Sequence, residues 1–136
     1  RALVATGEAV AAEKLLREAI DDQREPVLVR LYGALVLPDA LTPLDRAESW
    51  LRKAPEDPEL LAACARLALQ AELIGKSRSY LEASLARKPS AENSLLYAEL
   101  LDQLGEGDRA RTVLRDSVAR SVGRRPALPR VRLRRR

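Results

Sequence analysis

The chain has 136 residues, and its 24 Lys and Arg against 20 Asp and Glu give a formal net charge of +4. It has no histidine and a single cysteine, Cys64, which excludes an internal disulfide and leaves no ligand set for zinc. Without histidine there is no catalytic triad or Cys–His dyad, and no glycine-rich phosphate-binding motif occurs. We therefore expect a protein that is not an enzyme and that carries no cofactor or metal.

The positive charge is concentrated at the C-terminal end. Residues 120–136 carry eight arginines and no acid, whereas residues 1–119 carry 16 basic and 20 acidic residues, a net charge of −4. A nucleic-acid footprint over the whole domain is not expected from an acidic body. We predict a helical domain over 1–119 and a basic, Pro- and Arg-rich tail over 120–136 that is extended or disordered. Contact with an anionic membrane surface is one use of such a tail, and a solubilising end is the alternative.

Strong helix formers fill most of the chain, so we predict successive helices over residues 1–119. Asp57 and Ser90 precede helical segments as N-cap candidates, and the stretch "GEGDR" from Gly105 is predicted to be a turn between helices. The predicted helices cover residues 1–21 and then begin at or near Pro26, Asp45, Pro58, Gly75, Ala91 and Asp108.

Four of these helices share a pattern of small and large residues. Each has a small residue, a leucine four positions later and another small residue three beyond that, and the triplets start 35, 30 and 33 residues apart. Such positions form one stripe of a helix, so a neighbouring helix can approach the small residues closely. The triplets are Ala12, Leu16 and Ala19; Ala47, Leu51 and Ala54; Ser77, Leu81 and Ser84; and Ala110, Leu114 and Ser117.

The intervening helices carry apolar and small residues of their own, and the whole pattern resembles the tetratricopeptide repeat, whose period of about 34 residues folds as two antiparallel helices. The resemblance implies an all-α solenoid of about three repeats after one leading half-repeat, with the earliest full copy stretched by "VLPDALTPLD". A plain helical bundle is the alternative. The further packing positions that the repeat implies are Tyr32, Gly33, Leu61, Cys64, Ala65, Ala68, Tyr97, Ala98 and Leu101.

Three strings, "PVLVRLYGAL", "AESWLRKAPEDPELL" and "GKSRSYLEASLARKPS", resemble the C-terminal region of the HemY proteins of proteobacteria, over about residues 20–118. That family is associated with late steps of protohaem synthesis, and its members place a tetratricopeptide domain on the cytoplasmic side of an inner-membrane anchor. No apolar run in this chain approaches the roughly 20 residues that span a bilayer, so the resemblance implies an anchor outside it. It implies a non-catalytic scaffold whose expected partners are enzymes of late haem synthesis.

In tetratricopeptide arrays the first helices line a concave groove that binds peptides. The guanidinium groups of Arg30 and Arg66 suit acidic side chains of a partner, and local pairing is the alternative. The Lys and Asn clamp by which some arrays hold a chaperone's terminal carboxylate is not matched. The groove positions implied by the register are Arg30, Ala34, Ala62, Arg66, Leu69, Gln70, Leu95, Glu99 and Asp102.

Two other functions are compatible with the sequence. A porphyrin or haem carrier would need Cys64 or a tyrosine such as Tyr80 or Tyr97 as axial ligand, although all three are expected at packing positions. A homo-oligomerisation module is the other, because residues 10–20 carry an apolar face that a preceding helix would cover in a longer array.

Overall fold

The computed structural model describes the backbone of residues 2–123 and the side chains of residues 7–123, so most of the predicted tail lies outside the described residues. Within this range the chain forms seven α-helices and no strand, which confirms the all-α class. The helices are α1 (Ala2–Asp22), α2 (Pro26–Ala34), α3 (Leu41–Lys53), α4 (Pro58–Gln70), α5 (Ile74–Arg87), α6 (Ala91–Gln103) and α7 (Gly107–Gly123).

Local signals start two of the helices as predicted. The Asp57 carboxylate accepts hydrogen bonds from the backbone N–H groups of Glu59 at 2.9 Å and Leu60 at 3.4 Å, and Pro58 follows as the first residue of α4. The Ser90 hydroxyl accepts a bond from the backbone N–H of Asn93 at 3.2 Å at the start of α6. Each cap satisfies N–H groups that have no partner within the helix.

Two helix boundaries differ from the predicted ones. Helix α3 begins at Leu41, several residues before Asp45, because the Asp39 carboxylate accepts bonds from the Leu41 N–H at 3.0 Å and the Thr42 hydroxyl at 2.7 Å. Pro43 does not stop this helix, since a proline in the first turn lacks only an N–H that would have no helical partner. Helix α7 continues to Gly123, past the expected domain boundary at residue 119.

Helix α4 lies at the centre of the described chain. It pairs most extensively with α5 and also packs on α2 and α3, while α6 pairs with α7, α5 packs on α6 and α1 packs on α2. Residues 60–65 are buried consecutively, as expected for a helix covered on several sides. Helices α2 and α3, which are joined by the long connection, pack on α4 more than on each other.

The buried side chains form two hydrophobic clusters that meet at α4. The first joins α1 to α4 around Tyr32 and Trp50, whose rings make an edge-to-face contact with centroids 5.0 Å apart. The second joins α4 to α7 around Leu81 and Leu101. Tyr80 packs against both clusters, so the two cores are continuous through α5.

Small residues let helices approach α4 closely. A Cβ atom placed on Gly33 of α2 would lie 2.8 Å from the Cα atom of Ala63, closer than real Cβ atoms come to backbone. On α5, the hydroxyls of Ser77 and Ser84 donate to the carbonyls of Ala65 and Pro58, both at 2.8 Å. These buried serines therefore satisfy their own hydroxyls on the partner helix as well as leaving room for it.

The predicted packing positions are buried to different degrees. Leu114 is 38 % exposed, so its predicted burial is wrong: α7 packs on α6, and no later helix within the described residues covers its other side. The half-buried positions are Ala12, Leu16, Ala19, Leu51, Ala54 and Ser117. The buried positions are Tyr32, Gly33, Ala47, Leu61, Cys64, Ala65, Ala68, Ser77, Leu81, Ser84, Tyr97, Ala98, Leu101 and Ala110.

Replacing Leu81 with alanine is expected to lower the free energy of unfolding by about 2–5 kcal/mol, because the side chain is fully buried on α5 and its removal leaves a cavity in the second hydrophobic cluster. Urea denaturation of the purified variant measures this. Leu95→Ala is the matched control, since Leu95 is 51 % exposed on α6 and its truncation should cost far less. Equal losses in the two variants would contradict the packing described here.

Gly33→Ala is expected to destabilise the protein by about 1–3 kcal/mol, because the added methyl group overpacks the contact with Ala63. Gly75→Ala makes the same chemical change in α5, where a Cβ atom meets nothing within 4 Å. We expect Gly75→Ala to be neutral or slightly stabilising, since alanine favours helix over glycine. Thermal melts that rank the two variants in the opposite order would refute a close approach at Gly33.

Candidate binding cleft

A cleft of about 170 Å³ opens where α2 and α4 meet the end of α5 and the start of α6. Three alanines, Ala34, Ala62 and Ala63, contribute its apolar part, and their short side chains leave the space open. Polar and charged groups of α2, α4, α5 and α6 and of the α5–α6 connection contribute the rest. The complete lining is Arg30, Ala34, Pro58, Glu59, Ala62, Ala63, Arg66, Ser84, Lys88, Ser90, Glu92 and Asn93.

One side of the cleft carries a shared carboxylate. Glu59 lies 3.6 Å from the Arg30 guanidinium and 3.7 Å from the Lys88 ammonium, counted between charged atoms. Both basic side chains are largely exposed, at 60 % and 66 %, whereas Glu59 is 17 % exposed. Ion pairs of such exposed groups contribute little, so Arg30 and Lys88 can turn to an incoming carboxylate at small cost.

Arg66 provides a fixed set of donors at the other side. Its guanidinium donates to the Glu92 carboxylate at 3.1 Å and to the Asn93 side-chain oxygen at 2.8 Å. The side chain is 26 % exposed, so α4 and α6 hold it in place. A guanidinium has five N–H donors, and those not used here remain suited to a carboxylate of a bound segment.

The predicted groove residues fall into two sets. Arg30, Ala34, Ala62 and Arg66 come together and line the cleft. Both arginines have local carboxylate partners, which is the alternative considered for them. The remaining five positions do not line it.

Gln70 was expected to face the groove and instead binds the α2–α3 connection. Its side-chain amide donates to the Leu35 carbonyl, and its side-chain oxygen accepts from the Leu37 N–H at 3.3 Å. Leu69 packs against the second hydrophobic cluster. The other three positions lie exposed on α6 outside the cleft: Leu95, Glu99 and Asp102.

Several cleft residues were missed because they belong to helix ends. Glu59 lies in the first turn of α4, Lys88 follows α5, and Ser90, Glu92 and Asn93 lie at the start of α6. The groove positions were predicted from the repeat register in the middle of the first helix of each repeat, and this register does not include the helix ends. The sequence signal available for them was the pair of capped helix starts at Asp57 and Ser90.

Three carboxylates at helix junctions have equivalent surroundings, which we term the Glu–Tyr–base clusters. In the first, Glu13 of α1 accepts a bond from the Tyr32 hydroxyl at 2.6 Å, with Arg46 of α3 3.7 Å away. Arg17, one turn along α1, also donates to Glu13 at 3.2 Å. The cluster therefore links α1, α2 and α3.

The second and third clusters contain the same kinds of group further along the chain, although the tyrosine and the base of the second both come from α5. Glu48 of α3 is bound by the Tyr80 hydroxyl and lies 2.8 Å from the Lys76 ammonium. Glu82 of α5 accepts a bond from the Tyr97 hydroxyl at 2.5 Å, with Arg109 at 3.7 Å. The basic members, Arg46, Lys76 and Arg109, each directly precede the first small residue of a triplet.

These contacts shift the pKa values of the glutamates and tyrosines in the second and third clusters. The Tyr97 hydrogen bond is the largest cause that holds the pKa of Glu82 below its ordinary value, with Arg78 adding to it against the effect of burial. Burial works to raise the pKa of Glu48, but hydrogen bonds from Lys76 and Tyr80 outweigh it and the pKa is lowered. Burial and the bond to the carboxylate raise the pKa of Tyr97.

The residues considered as haem ligands are engaged elsewhere. Cys64 is fully buried, and burial raises the pKa of its thiol to about 12. The hydroxyls of Tyr80 and Tyr97 donate to glutamates. Among the described side chains, no group of three or more Cys, Asp or Glu is placed to hold a metal ion.

Comparison of the chain with protein-family models, with curated proteins and with solved structures finds no match. The arrangement of helices and the cleft are therefore the basis for assigning a class of function. Of the helices described, none combines the length and apolar character needed to cross a membrane.

Tyr97→Phe is expected to lower the free energy of unfolding at neutral pH by about 1 kcal/mol, because it removes a hydrogen bond to a partly exposed carboxylate. A carboxylate with a lowered folded pKa adds stability above its unfolded pKa of about 4.3, and that stability is lost as pH falls below this value. The gap between wild type and variant should therefore narrow below pH about 4.3.

Urea titrations at a series of pH values measure this gap. Ser79→Ala is the control, since Ser79 is exposed on α5 and its loss should leave the pH profile of the wild type unchanged. A constant gap between wild type and Tyr97→Phe down to the most acidic condition would contradict the assigned role of Glu82.

Proposed function

We propose that this chain is a non-catalytic protein interaction module of the tetratricopeptide type, and that it binds an acidic, extended segment of another protein in the cleft between α2, α4 and α6. The observation that carries the proposal is the cleft itself. It combines an apolar alanine surface with Arg30, Lys88 and Arg66 around it. An extended acidic peptide fits such a surface, since its apolar groups can rest on the alanines while its carboxylates meet the basic groups.

The repeat assignment is supported by the contacts as well as by the sequence. Helices α4 and α5, and α6 and α7, are the two most closely packed pairs of neighbours. The Glu–Tyr–base clusters recur with the triplets, since Arg46, Lys76 and Arg109 are spaced 30 and 33 residues apart. A plain bundle would not need the same three kinds of group at each successive junction. The α2–α3 copy departs most, because its helices pack mainly on α4.

The resemblance to the HemY proteins selects the first partners to test. Under this proposal the chain is the repeat domain of a membrane-anchored scaffold, and acidic segments of late protohaem enzymes bind the cleft. Titration of the protein with haem or protoporphyrin, followed at the Soret band, examines the carrier alternative, for which the engaged positions of Cys64, Tyr80 and Tyr97 offer no ligand.

Fluorescence anisotropy with labelled Asp- and Glu-rich peptides tests the proposal. We expect wild-type protein to bind the acidic peptides and to bind lysine-substituted versions at least about tenfold more weakly, a difference of about 1.4 kcal/mol. Ala34→Leu fills the apolar part of the cleft, and Arg66→Ala removes the fixed donors, so each should reduce affinity about tenfold or more.

Arg87→Ala is the control for the loss of a basic side chain, because Arg87 pairs with Glu56 outside the cleft. It should bind the acidic peptides like wild type. Folding of each variant is checked by circular dichroism. If Ala34→Leu and Arg66→Ala bind as tightly as wild type, or if basic peptides bind equally well, the cleft is not the recognition site.

A further inference from the structure

The two terminal helices of the described chain have exposed outer faces of opposite charge. Helix α1 packs on α2, and helix α7 packs on α6, so each turns one side outwards. These outer faces lie away from the peptide cleft, and neither contributes to it.

The outer face of α7 is basic and apolar. Leu114, Val118 and Val122 are 38 %, 61 % and 63 % exposed, and they lie four residues apart along one stripe. Arg111 and Arg115 flank this stripe and are exposed. Arg111 pairs with Asp108, whereas Arg115 forms no ion pair with any described side chain. Exposed valines in a row, bordered by arginines, are typical of a surface that another helix covers.

The outer face of α1 is acidic around an apolar centre. Leu15 is 69 % exposed, and Glu8, Ala11, Glu18 and Asp22 share its side of the helix at intervals of three and four residues, all of them exposed. With a rise of 1.5 Å per residue, the stripe from residue 8 to residue 22 is about 21 Å long. The stripe on α7 from residue 111 to residue 122 is about 17 Å long by the same measure.

We infer that copies of this chain associate head to tail, with the outer face of α7 in one copy packed on the outer face of α1 in the next. The apolar side chains of the two stripes bury one another, and Arg111 and Arg115 meet the acidic residues of α1. Lys14 lies at the edge of the α1 face and can turn to solvent. The inference goes beyond the proposed peptide binding and does not depend on it.

Charge selects this arrangement over a symmetric dimer. Two α7 faces packed on each other would place Arg111 and Arg115 opposite arginines, and two α1 faces would place Glu18 and Asp22 opposite acids. Like charges brought together at an interface oppose association strongly. A head-to-tail contact leaves one free face of each kind at the two ends, so it continues into chains of copies unless the geometry closes a ring.

A charge-exchange experiment tests the contact directly. Glu18→Arg and Arg115→Glu each place like charges across the proposed interface, and both residues are exposed, so each variant should keep the helical content and melting temperature of the wild type. Sedimentation velocity over a micromolar concentration series at low salt measures association. We expect the wild type to associate and each variant alone to associate at least about tenfold more weakly.

Mixing the two variants is the decisive step. The arginine introduced by Glu18→Arg then faces the glutamate introduced by Arg115→Glu, and the second contact is that of the wild type, so association should return in the mixture. Lys53→Glu, at an exposed site on α3, is the control and should associate like wild type. High salt should weaken association in the wild type and in the mixture.

Three results would overturn the inference. One is a wild-type chain that stays monomeric throughout the concentration series. Another is a mixture that associates no better than its separate components. The third is a response to Arg115→Glu without any response to Glu18→Arg, which would indicate that α7 packs on something other than α1.

Discussion

The crowding of α4 is the constraint on which the rest of this structure depends. One helix of 13 residues is covered by α2, α3 and α5 at once, and the closest of these contacts depend on small side chains. Gly33 lets α2 reach the backbone at Ala63, and the hydroxyls of Ser77 and Ser84 reach carbonyls of α4. The cleft follows from the same cause, because the alanines that permit close helices also leave its surface shallow and open.

The Glu–Tyr–base clusters make each junction specific. Apolar packing alone would allow one helix to slide along another, but a carboxylate bound by a phenol and a basic group from other helices fixes their relative positions. Those two groups come from two helices in the first and third clusters and from α5 alone in the second. The clusters lie at the edge of the core, where the glutamates are 13 %, 15 % and 40 % exposed. At such sites the cost of removing a charge from water is moderate, and two or more hydrogen bonds or ion pairs offset it.

Much of this fold is local enough to be predicted from the sequence. A stripe such as Ser77, Leu81 and Ser84 indicates a closely packed helix face wherever it occurs. A cap such as Asp57 binds the backbone of residues next to it in the sequence, so it too can be predicted locally. The predicted position of a residue was wrong where its contacts depend on residues far away in the sequence. Leu114 is exposed because no described helix follows α7, and Gln70 binds a connection some 33 to 35 residues earlier.

The cleft could also be predicted only in part, because some of its contacts join residues of different helices. Arg66 could be placed on the first helices by register, but its partners Glu92 and Asn93 belong to the start of another helix, 26 and 27 residues away. The Glu–Tyr–base clusters do have a periodic sequence pattern, because a basic residue directly precedes the second, third and fourth triplets. Interpreting it required knowing that the previous triplet helix, two helices earlier in the chain, supplies the glutamate, which spacing within one helix does not show.

The middle junction carries a substitution that couples two positions. Where α2 and α6 place Tyr32 and Tyr97 in the repeat register, α4 has Cys64, and the phenol that binds Glu48 comes instead from Tyr80 on α5. Restoring tyrosine on α4 alone would crowd two rings onto a single acceptor, while losing Tyr80 alone would leave that acceptor with only Lys76. The residues at positions 64 and 80 are therefore coupled, because Glu48 has room for a phenol from only one of the two helices.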